Sequence, residues 1–346
     1  MSSLLNGIKF FELGIGDCRD FMREMPDGCV SSIVTSPPYY LHRSYTDDPN
    51  ELGHEPTPAL FVQHLVEIFR EAKRILRDDG TLLLNIGDTY IHGNRTVKLD
   101  PKGCPPPGNM LAIPWRLGLA LQEDGWVLRQ DVIWSKAGGM PEPVRDRFVR
   151  SHEYVLLLTK SQDYFFDYVA IRVNDANRRD VLHLAPSPFR ANDESKQHFA
   201  VMNVQLAEVL VLAGTPEKAC SACGAPWRRL VEGKKETKAE RLSRIKSPAT
   251  GVAPRHDGGK LQQGVHIGSF PKKTIGFRPT CDCTAGGTSG IVFDPFSGLG
   301  TTGVSALKNK RRYFGIDIDP TNEPVARRRL DGVLLETVAA DTQTPE

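Results

Sequence analysis

The feature that most restricts the fold is the segment Asp294-Pro295-Phe296-Ser297-Gly298-Leu299-Gly300-Thr301-Thr302-Gly303. It follows an apolar run at 290–293 and leads into a helical pattern at 301–308. A strand that turns on glycines into a helix begins a βαβ unit, and a chain containing one is committed to a sheet with helices packed on it. Gly298, Gly300 and Gly303 keep the spacing G-x-G-x-x-G, which permits a tight turn and close approach of a ligand to the backbone at a helix N-terminus. Asp317, at the end of the next strand-like run (312–316), is the expected acceptor for two ribose hydroxyls. The same glycine spacing also occurs in tight turns that bind no nucleotide, and in NAD-dependent oxidoreductases, so a second motif has to decide its meaning.

The rest of the chain keeps the α/β rhythm. Apolar or β-branched runs at 8–13, 29–35, 81–86, 126–134 and 153–159 join the two near residue 300 to make seven strands. Between Pro58 and Leu76 the apolar positions Phe61, Leu65, Ile68, Phe69, Ala72 and Ile75 keep helical spacing, with Thr57 as N-cap and Pro58 at the first position. Helices are also predicted at 112–122 and 322–335, and Asp79-Gly80 predicts a turn before the third strand. At 346 residues and 40% hydrophobic content, the chain can bury one large core, or a core plus a small accessory unit. It has no apolar run of about 18 residues, and its start lacks the charged and apolar regions of a signal peptide. Three of its seven cysteines (Cys18, Cys29, Cys104) are scattered singly, which argues against a disulfide framework. A soluble, intracellular protein is expected.

The second motif is Thr35-Ser36-Pro37-Pro38-Tyr39, at the end of a strand, where open α/β sheets place their ligands. Two successive prolines fix φ and remove two N–H donors, giving a stiff loop that presents acceptors and an aromatic ring. The Ser36 hydroxyl and a backbone carbonyl near Pro37 can accept the two N–H groups of an exocyclic amine while Tyr39 stacks on its ring. A proline-stiffened turn carrying a core tyrosine is the plainer reading of the pentapeptide.

Together these residues resemble the S-adenosylmethionine-dependent amino-group DNA methyltransferases. They most resemble the group in which the Pro-Pro-Tyr motif precedes the glycine motif, and the likeness spans about 1–220 and 284–335. The resemblance makes Ser36, Pro37, Pro38 and Tyr39 the catalytic tetrapeptide. It makes Asp294, Pro295, Phe296, Gly298, Gly300, Thr301, Thr302 and Asp317 cofactor-binding residues. Asp17, after the first strand, takes the acidic position beside the adenine. His198 and Phe199 fall in the segment packed near the methionine part, where the family usually has proline in place of Asn203. The implied fold is α/β: a seven-stranded Rossmann-like methyltransferase sheet with one antiparallel hairpin, in circularly permuted motif order. The implied partner is double-stranded DNA, met by a monomer or homodimer without membrane attachment. A bacterial or phage-encoded cytoplasmic setting and a cognate restriction endonuclease go with the same resemblance.

The implied chemistry moves the sulfonium methyl group onto an exocyclic nitrogen of a base swung out of the duplex. Carbon-5 cytosine methylation would need a cysteine nucleophile in Pro-Cys order, whereas Gly103-Cys104-Pro105 reverses it. Ser36, where other members have Asp or Asn, resembles the cytosine-N4 members more than the adenine-N6 members, and adenine N6 is the alternative. More remote readings are an RNA or protein-glutamine methyltransferase, or a non-catalytic zinc-ribbon DNA-binding protein.

Cys220-x-x-Cys223 and Cys281-x-Cys283 offer four thiolates for a structural zinc, against the alternative of four free thiols. Between them, 224–280 holds 13 Lys/Arg and 4 Asp/Glu, a net of +9 within a chain whose total is +2, so the remaining body carries −7. That stretch reads either as a solvated loop or as a phosphate-contacting flap. Arg145, Arg147, Arg150, Arg178 and Arg179 are candidates for reading the target, with surface salt bridges as the other explanation. The chain divides into a catalytic half (1–135), a target-recognition region (136–197, with 152–160 a sheet strand) and a cofactor-proximal helix (198–219). A basic zinc-ribbon-like insertion (220–283), a cofactor-binding half (284–335) and a tail (336–346) complete it.

Overall fold

The computed structural model describes residues 8–42, 51–91, 99–136, 143–186, 202–233 and 272–341. In chain order its elements are β1 (Phe11–Ile15), α1 (Cys18–Glu24), β2 (Val30–Thr35), α2 (Pro58–Ile75), β3 (Leu76–Ile86), α3 (Ile113–Glu123), β4 (Val127–Ser135), β5 (His152–Thr159) and β6 (Val181–His183). They continue as α4 (Val204–Gly214), β7 (Ala219–Cys220), β8 (Arg228–Gly233), β9 (Lys272–Arg278), β10 (Gly287–Thr288), β11 (Ile291–Asp294), α5 (Thr301–Lys308), β12 (Arg312–Asp317) and α6 (Glu323–Asp341).

The main sheet has the order β1-β12-β11-β2-β3-β5-β4-β6. Its first five strands are parallel, β5 runs antiparallel between β3 and β4, and β6 is parallel to β4. Central strands of such a sheet are covered on both faces, so polar residues in them need partners, and Ser31, Ser32 and Thr35 of β2 each make a buried hydrogen bond. All six residues of β2 and all four of β11 are buried. Successive residues still point to opposite faces. Ile33 and Phe293 join a core with Phe61, Phe69 and Leu117 of α2 and α3. Val34 and Val292 join a second core with Leu206 and Leu210 of α4, Val304 of α5 and Leu330 of α6.

This two-sided packing places the site. The helix that follows β11 lies on one face and the helix that follows β2 lies on the other, so the connections diverge between two adjacent parallel strands. Open α/β sheets bind ligands in the crevice outside the carboxyl ends at such a point. Here those ends are Asp294 and Thr35, with Asp317 and Ile86 one strand further out on either side. Helix α2 is set firmly beside the crevice. Thr57 accepts from Leu60 N–H at 3.1 Å, a cap worth about 1 kcal/mol, Pro58 begins the helix, and its apolar stripe is buried.

All seven expected strands form, but the main sheet has eight. The addition, β6, is only three residues long, too short for alternation to reveal it. It is held at the edge by Ile133 N–H to Asp180 O at 2.8 Å and by the Trp134 indole to Leu184 O at 3.0 Å. The turn expected at Asp79-Gly80 is instead a bulge within β3: Leu76 faces Val30 and Thr81 faces Ser32, so 77–80 oppose one residue of β2. The ends of the basic insertion, read from the sequence as a solvated loop or a flap, pair with each other as the antiparallel strands β8 and β9. No helix among the described residues is long and apolar enough to cross a membrane.

Candidate active site

The glycine segment forms a loop between Asp294 and the start of α5. Gly298 and Gly300 have φ of 51° and 71°, a region costly to side chains other than glycine. Among the described residues, a Cβ on Gly298 would meet nothing within 4 Å, so they leave this side of the turn open to a ligand. Gly300 caps α5 without a side-chain hydrogen bond, which leaves its first N–H groups for an incoming acceptor. Gly303 serves packing: a Cβ there would lie 2.6 Å from the buried Tyr313 ring, so the glycine lets α5 settle on β12.

Asp317 fastens this loop to β12. Its Oδ2 accepts from Gly298 N–H at 2.6 Å, and its Oδ1 accepts from Asp319 N–H at 2.9 Å and from the Asn322 amide at 3.0 Å. Burial pushes its carboxyl above the usual range, against the pull of these bonds. Three of roughly four acceptor directions are thus used by the protein, and a ribose hydroxyl would share Oδ2. Asp17 stands one strand away, since Gly16 N–H donates to Asp317 O at 2.9 Å. It caps α1 through Arg19 N–H at 2.8 Å and pairs with the Arg19 guanidinium. Burial works to raise its carboxyl, but the Arg19 hydrogen bonds and charge outweigh it and hold Asp17 below its usual value. Phe296 packs edge-on against Phe69, with ring centroids 6.5 Å apart, so its ring serves the core.

The Ser36–Tyr39 loop leaves β2 beside this turn and ends in a polar cluster. Tyr39 O–H donates to Glu153 Oε2 at 2.6 Å and accepts from the Asn85 amide at 2.7 Å. Asn85 also donates to Glu153 Oε2 at 3.0 Å, and Lys136 pairs with Glu153 Oε1. Among the described residues the Ser36 hydroxyl has only long contacts, 3.3 Å to the Asn85 amide and 3.5 Å to Tyr39 OH, so they leave its lone pairs weakly committed. With a carboxylate 3.0 Å away, the amide nitrogen of Asn85 must face Glu153. Asn85 Oδ1 is then left buried, with no hydrogen-bond partner among the described residues. Asn85, Glu153 and Lys136 escape sequence reasoning. Their signal is a polar residue inside the apolar run 82–86 and a charge opening the run 153–159, since such residues are seldom buried unless partnered.

One buried bond joins the two loops. Thr35 Oγ1 donates to Asp294 Oδ1 at 2.6 Å, and the same oxygen accepts Phe296 N–H at 3.1 Å. Thr302 reaches back across the strand pair to Val34 O at 3.3 Å. Burial raises the Asp294 carboxyl to about 6, opposed by its hydrogen bonds with Thr35, Thr302 and Phe296.

On the rim, the guanidiniums of Arg147 and Arg150 lie 4.0 and 5.2 Å from the Tyr90 ring centroid, and Arg150 also bonds Asp88 O. The expected recognition region therefore meets the 88–91 segment next to Gly87, two residues from Asn85. Phe148, between the arginines, is 97% exposed. Arg145 and Arg179 are exposed, whereas Arg178 is used to hold Ile171 O at 2.9 Å. Asn203, where the family usually has proline, caps α4 through Leu206 N–H at 3.0 Å and bonds Ala185 O. His198 and Phe199 lie outside the described residues. Cys220, Cys223, Cys281 and Cys283 come together, but at the opposite, amino edge of the sheet: Arg77, near the start of β3, donates to Cys223 O at 2.6 Å.

A family model described as DNA methylase matches residues 30–220 and 254–328. The Type II methyltransferase M.Cfr9I of Citrobacter freundii is 33% identical over 347 residues, covering 95% of this chain and 89% of the relative. M.XycI of Xanthomonas campestris pv. cyanopsidis is 32% identical over 348 residues with the same coverage. Among solved structures, the PvuII DNA methyltransferase (cytosine-N4-specific) shares the fold with a TM-score of 0.57 at 15% identity over 94% of each chain. TTHA0409 of Thermus thermophilus, complexed with S-adenosyl-L-methionine, aligns with a TM-score of 0.51 at 20% identity, over 93% of this chain and 95% of that one.

The buried Asp294 makes stability depend on pH. Its carboxyl rises from 3.8 to about 6 on folding, so between those values the folded state holds a proton that the unfolded chain has released. Stability from this group is therefore lost as pH rises through that window and is level above it. Asp294→Asn removes the effect. Urea unfolding should show the variant losing less stability than the wild type from about pH 4 to pH 7, by up to about 3 kcal/mol. Parallel stability curves would contradict the assignment.

Proposed function

Because the chain belongs to the N6/N4 DNA methylase family of Type II methyltransferases, we propose that it methylates the exocyclic N4 of cytosine in duplex DNA, with S-adenosylmethionine as methyl donor and the target base swung out of the helix. The observation that carries this reading is the junction of the two loops: an acceptor-bearing Pro-Pro-Tyr loop is bonded through Thr35 and Asp294 to a glycine turn whose outer side is open. The residues around that turn fit the donor. The uncapped start of α5 suits a carboxylate, Asp317 keeps an acceptor direction on Oδ2 for a ribose hydroxyl, and Asp17 at the adjacent strand end suits an adenine amino group. When bound, S-adenosylmethionine supplies an electrophilic methyl group.

The chain's own residues then have defined work. Glu153 and Asn85 hold the Tyr39 hydroxyl, which fixes the ring as a stacking surface for the flipped base and offsets part of the few kcal/mol that flipping costs. Ser36 Oγ and the Pro37 carbonyl accept the two amino protons, withdrawing them from conjugation so that the nitrogen lone pair points at the methyl carbon. With the donor bound, the nitrogen–carbon bond would form as the carbon–sulfur bond breaks with its electron pair left on sulfur, and the acceptors Ser36 Oγ and Pro37 O would pass the surplus amino proton to water. Asn85 Oδ1, buried and unpaired among the described residues, offers a further acceptor at this end of the sheet. The choice of cytosine N4 rests on the resemblance of Ser36 to the cytosine-N4 members, since a small acceptor suits either amino group.

Incubation with methyl-labelled S-adenosylmethionine and DNA, followed by digestion to nucleosides and mass spectrometry, should give N4-methylcytosine. 6-Methyladenine as the sole product would overturn the choice of base, and label confined to RNA or protein would overturn the substrate class. Ser36→Ala and Tyr39→Ala should each reduce kcat by about 10² to 10³. Full activity in both would contradict the site.

The basic insertion is proposed to meet DNA phosphates. Part of its charge is already committed within the described residues: Arg229 bridges Asp167 and Glu217 at 2.9 and 3.0 Å, and Lys272 bonds Tyr168 OH. The stretch 234–271, outside the described residues, still carries eight Lys/Arg against three Asp/Glu. Replacing it by a short glycine-serine turn should weaken DNA binding and flatten the slope of log K against log salt, by about one unit for each phosphate that is no longer neutralised. An unchanged slope would remove this role.

A further inference from the structure

Four cysteines from two distant parts of the chain meet where no chemistry of the methyl-transfer site needs them. Cys220 ends β7 and Cys223 follows in the next turn, while Cys281 and Cys283 lie just after β9, and 57 residues separate the two pairs. Their sulfurs all lie within 4.8 Å of one another, and all four cysteines are free thiols. A tetrahedral zinc ion with bonds of about 2.3 Å would hold four sulfurs about 3.8 Å apart, so the cluster needs only a small contraction.

The backbone around the cluster is arranged to present it. Gly224 N–H donates to Cys220 O and Cys220 N–H to Ala225 O, both at 2.8 Å, which folds the first pair into a tight turn. Cys220 lies opposite Gly287 in the two-stranded β7–β10 ladder, and Ser221 N–H donates to Gly286 O at 2.9 Å, so the chain beyond the second pair is bound to the first. Thr280, one residue before Cys281, donates to Pro226 O at 2.7 Å.

Among the described residues, the substructure these cysteines close has little apolar core. Leu230 of β8 is 40% exposed and Ile275 of β9 is 60% exposed. Its main side-chain contacts are Lys218 against the Trp227 and Phe277 rings and Arg229 against Phe277 and Asp167. Units that cannot bury enough apolar surface depend on a disulfide or a metal. Thiols gathered four together, rather than joined in pairs, select the metal.

We propose that Cys220, Cys223, Cys281 and Cys283 bind one zinc ion in a closed tetrathiolate site that clips both ends of the basic insertion to the amino edge of the sheet. The role is structural. All four positions are sulfur, so none is open for a reacting water, and the length of β2, about 20 Å, separates this edge from the methyl-transfer crevice. Arg77, donating to Cys223 O at 2.6 Å, and Arg229, paired with the buried Asp167, transmit the clip to the body of the protein.

The test uses the full chain and does not depend on its activity. Elemental analysis of protein expressed with zinc should find one zinc per chain. Replacing that zinc with Co²⁺ should give the visible absorption of a tetrahedral four-thiolate centre. The double variant Cys281→Ser, Cys283→Ser should lose the metal and become readily cleaved by protease near β8 and β9, with the unfolding of the main sheet little changed. Should that variant fail to fold, chelation of the wild-type protein provides the same comparison. Metal-free protein that binds no added Zn²⁺, full zinc retention in the double variant, or two disulfides found by alkylation and mass measurement would each overturn the proposal.

Discussion

The hydrogen bond between Thr35 and Asp294 is the constraint on which the rest of the site depends. It crosses from one central strand to its neighbour at the point where their connections leave on opposite faces of the sheet. Both partners are buried, so the bond is shielded from water, and breaking it would strand a polar group in the core. Through Asp294 it reaches Phe296 N–H and the glycine turn, and through the Thr35 backbone it leads directly into Ser36. The spacing between the glycine turn and the Ser36–Tyr39 loop is therefore set inside the sheet, and with it, in the proposed function, the distance between methyl donor and target amine.

The outer parts of the site are held by the same logic of buried polar groups with partners. Tyr39 is aimed by Asn85 and Glu153, which sit on β3 and the antiparallel β5, with Lys136 neutralising the carboxylate. Sheet order thus builds the polar cluster: β5 must lie next to β3 for a glutamate at residue 153 to meet a tyrosine at residue 39. The two edges of the sheet divide the work. The carboxyl edge carries the acceptor loop, the glycine turn and the Tyr90–Arg147–Arg150 rim, and the amino edge carries the cysteine cluster and the base of the basic insertion.

Much of this is legible in the amino-acid sequence because it depends on local signals. Glycine spacing after an apolar run marks the turn at 298–303, two prolines mark the loop at 37–38, and helical periodicity marks 58–75 almost to the residue. Pairing across the sheet leaves no such local trace. Asn85, Glu153 and Lys136 gain meaning only when β3, β4 and β5 are neighbours, and Thr35 reads as an ordinary strand residue until Asp294 lies beside it. The strand β6 is too short to show a period, and the bulge at 77–80 looks like a turn because Asp-Gly serves both. Asp17 and Asp317 do stand at adjacent strand ends, but their hydrogen bonds to Arg19 and to Gly298, Asp319 and Asn322 mean that each also holds its own loop.

If the buried Thr35–Asp294 bond fixes the alignment of two otherwise complete half-sites, deleting it should damage methyl transfer more than the binding of either substrate. Thr35→Val keeps the shape of the side chain and removes that bond alone. The decisive measurement is the single-turnover rate of methyl transfer by this variant at saturating S-adenosylmethionine and DNA, with both affinities determined separately. A fall in rate of about 10²-fold is expected, the cost of a displacement near 1 Å, with much smaller changes in either affinity. A folded variant that transfers methyl groups as fast as the unaltered protein would contradict this role for the bond.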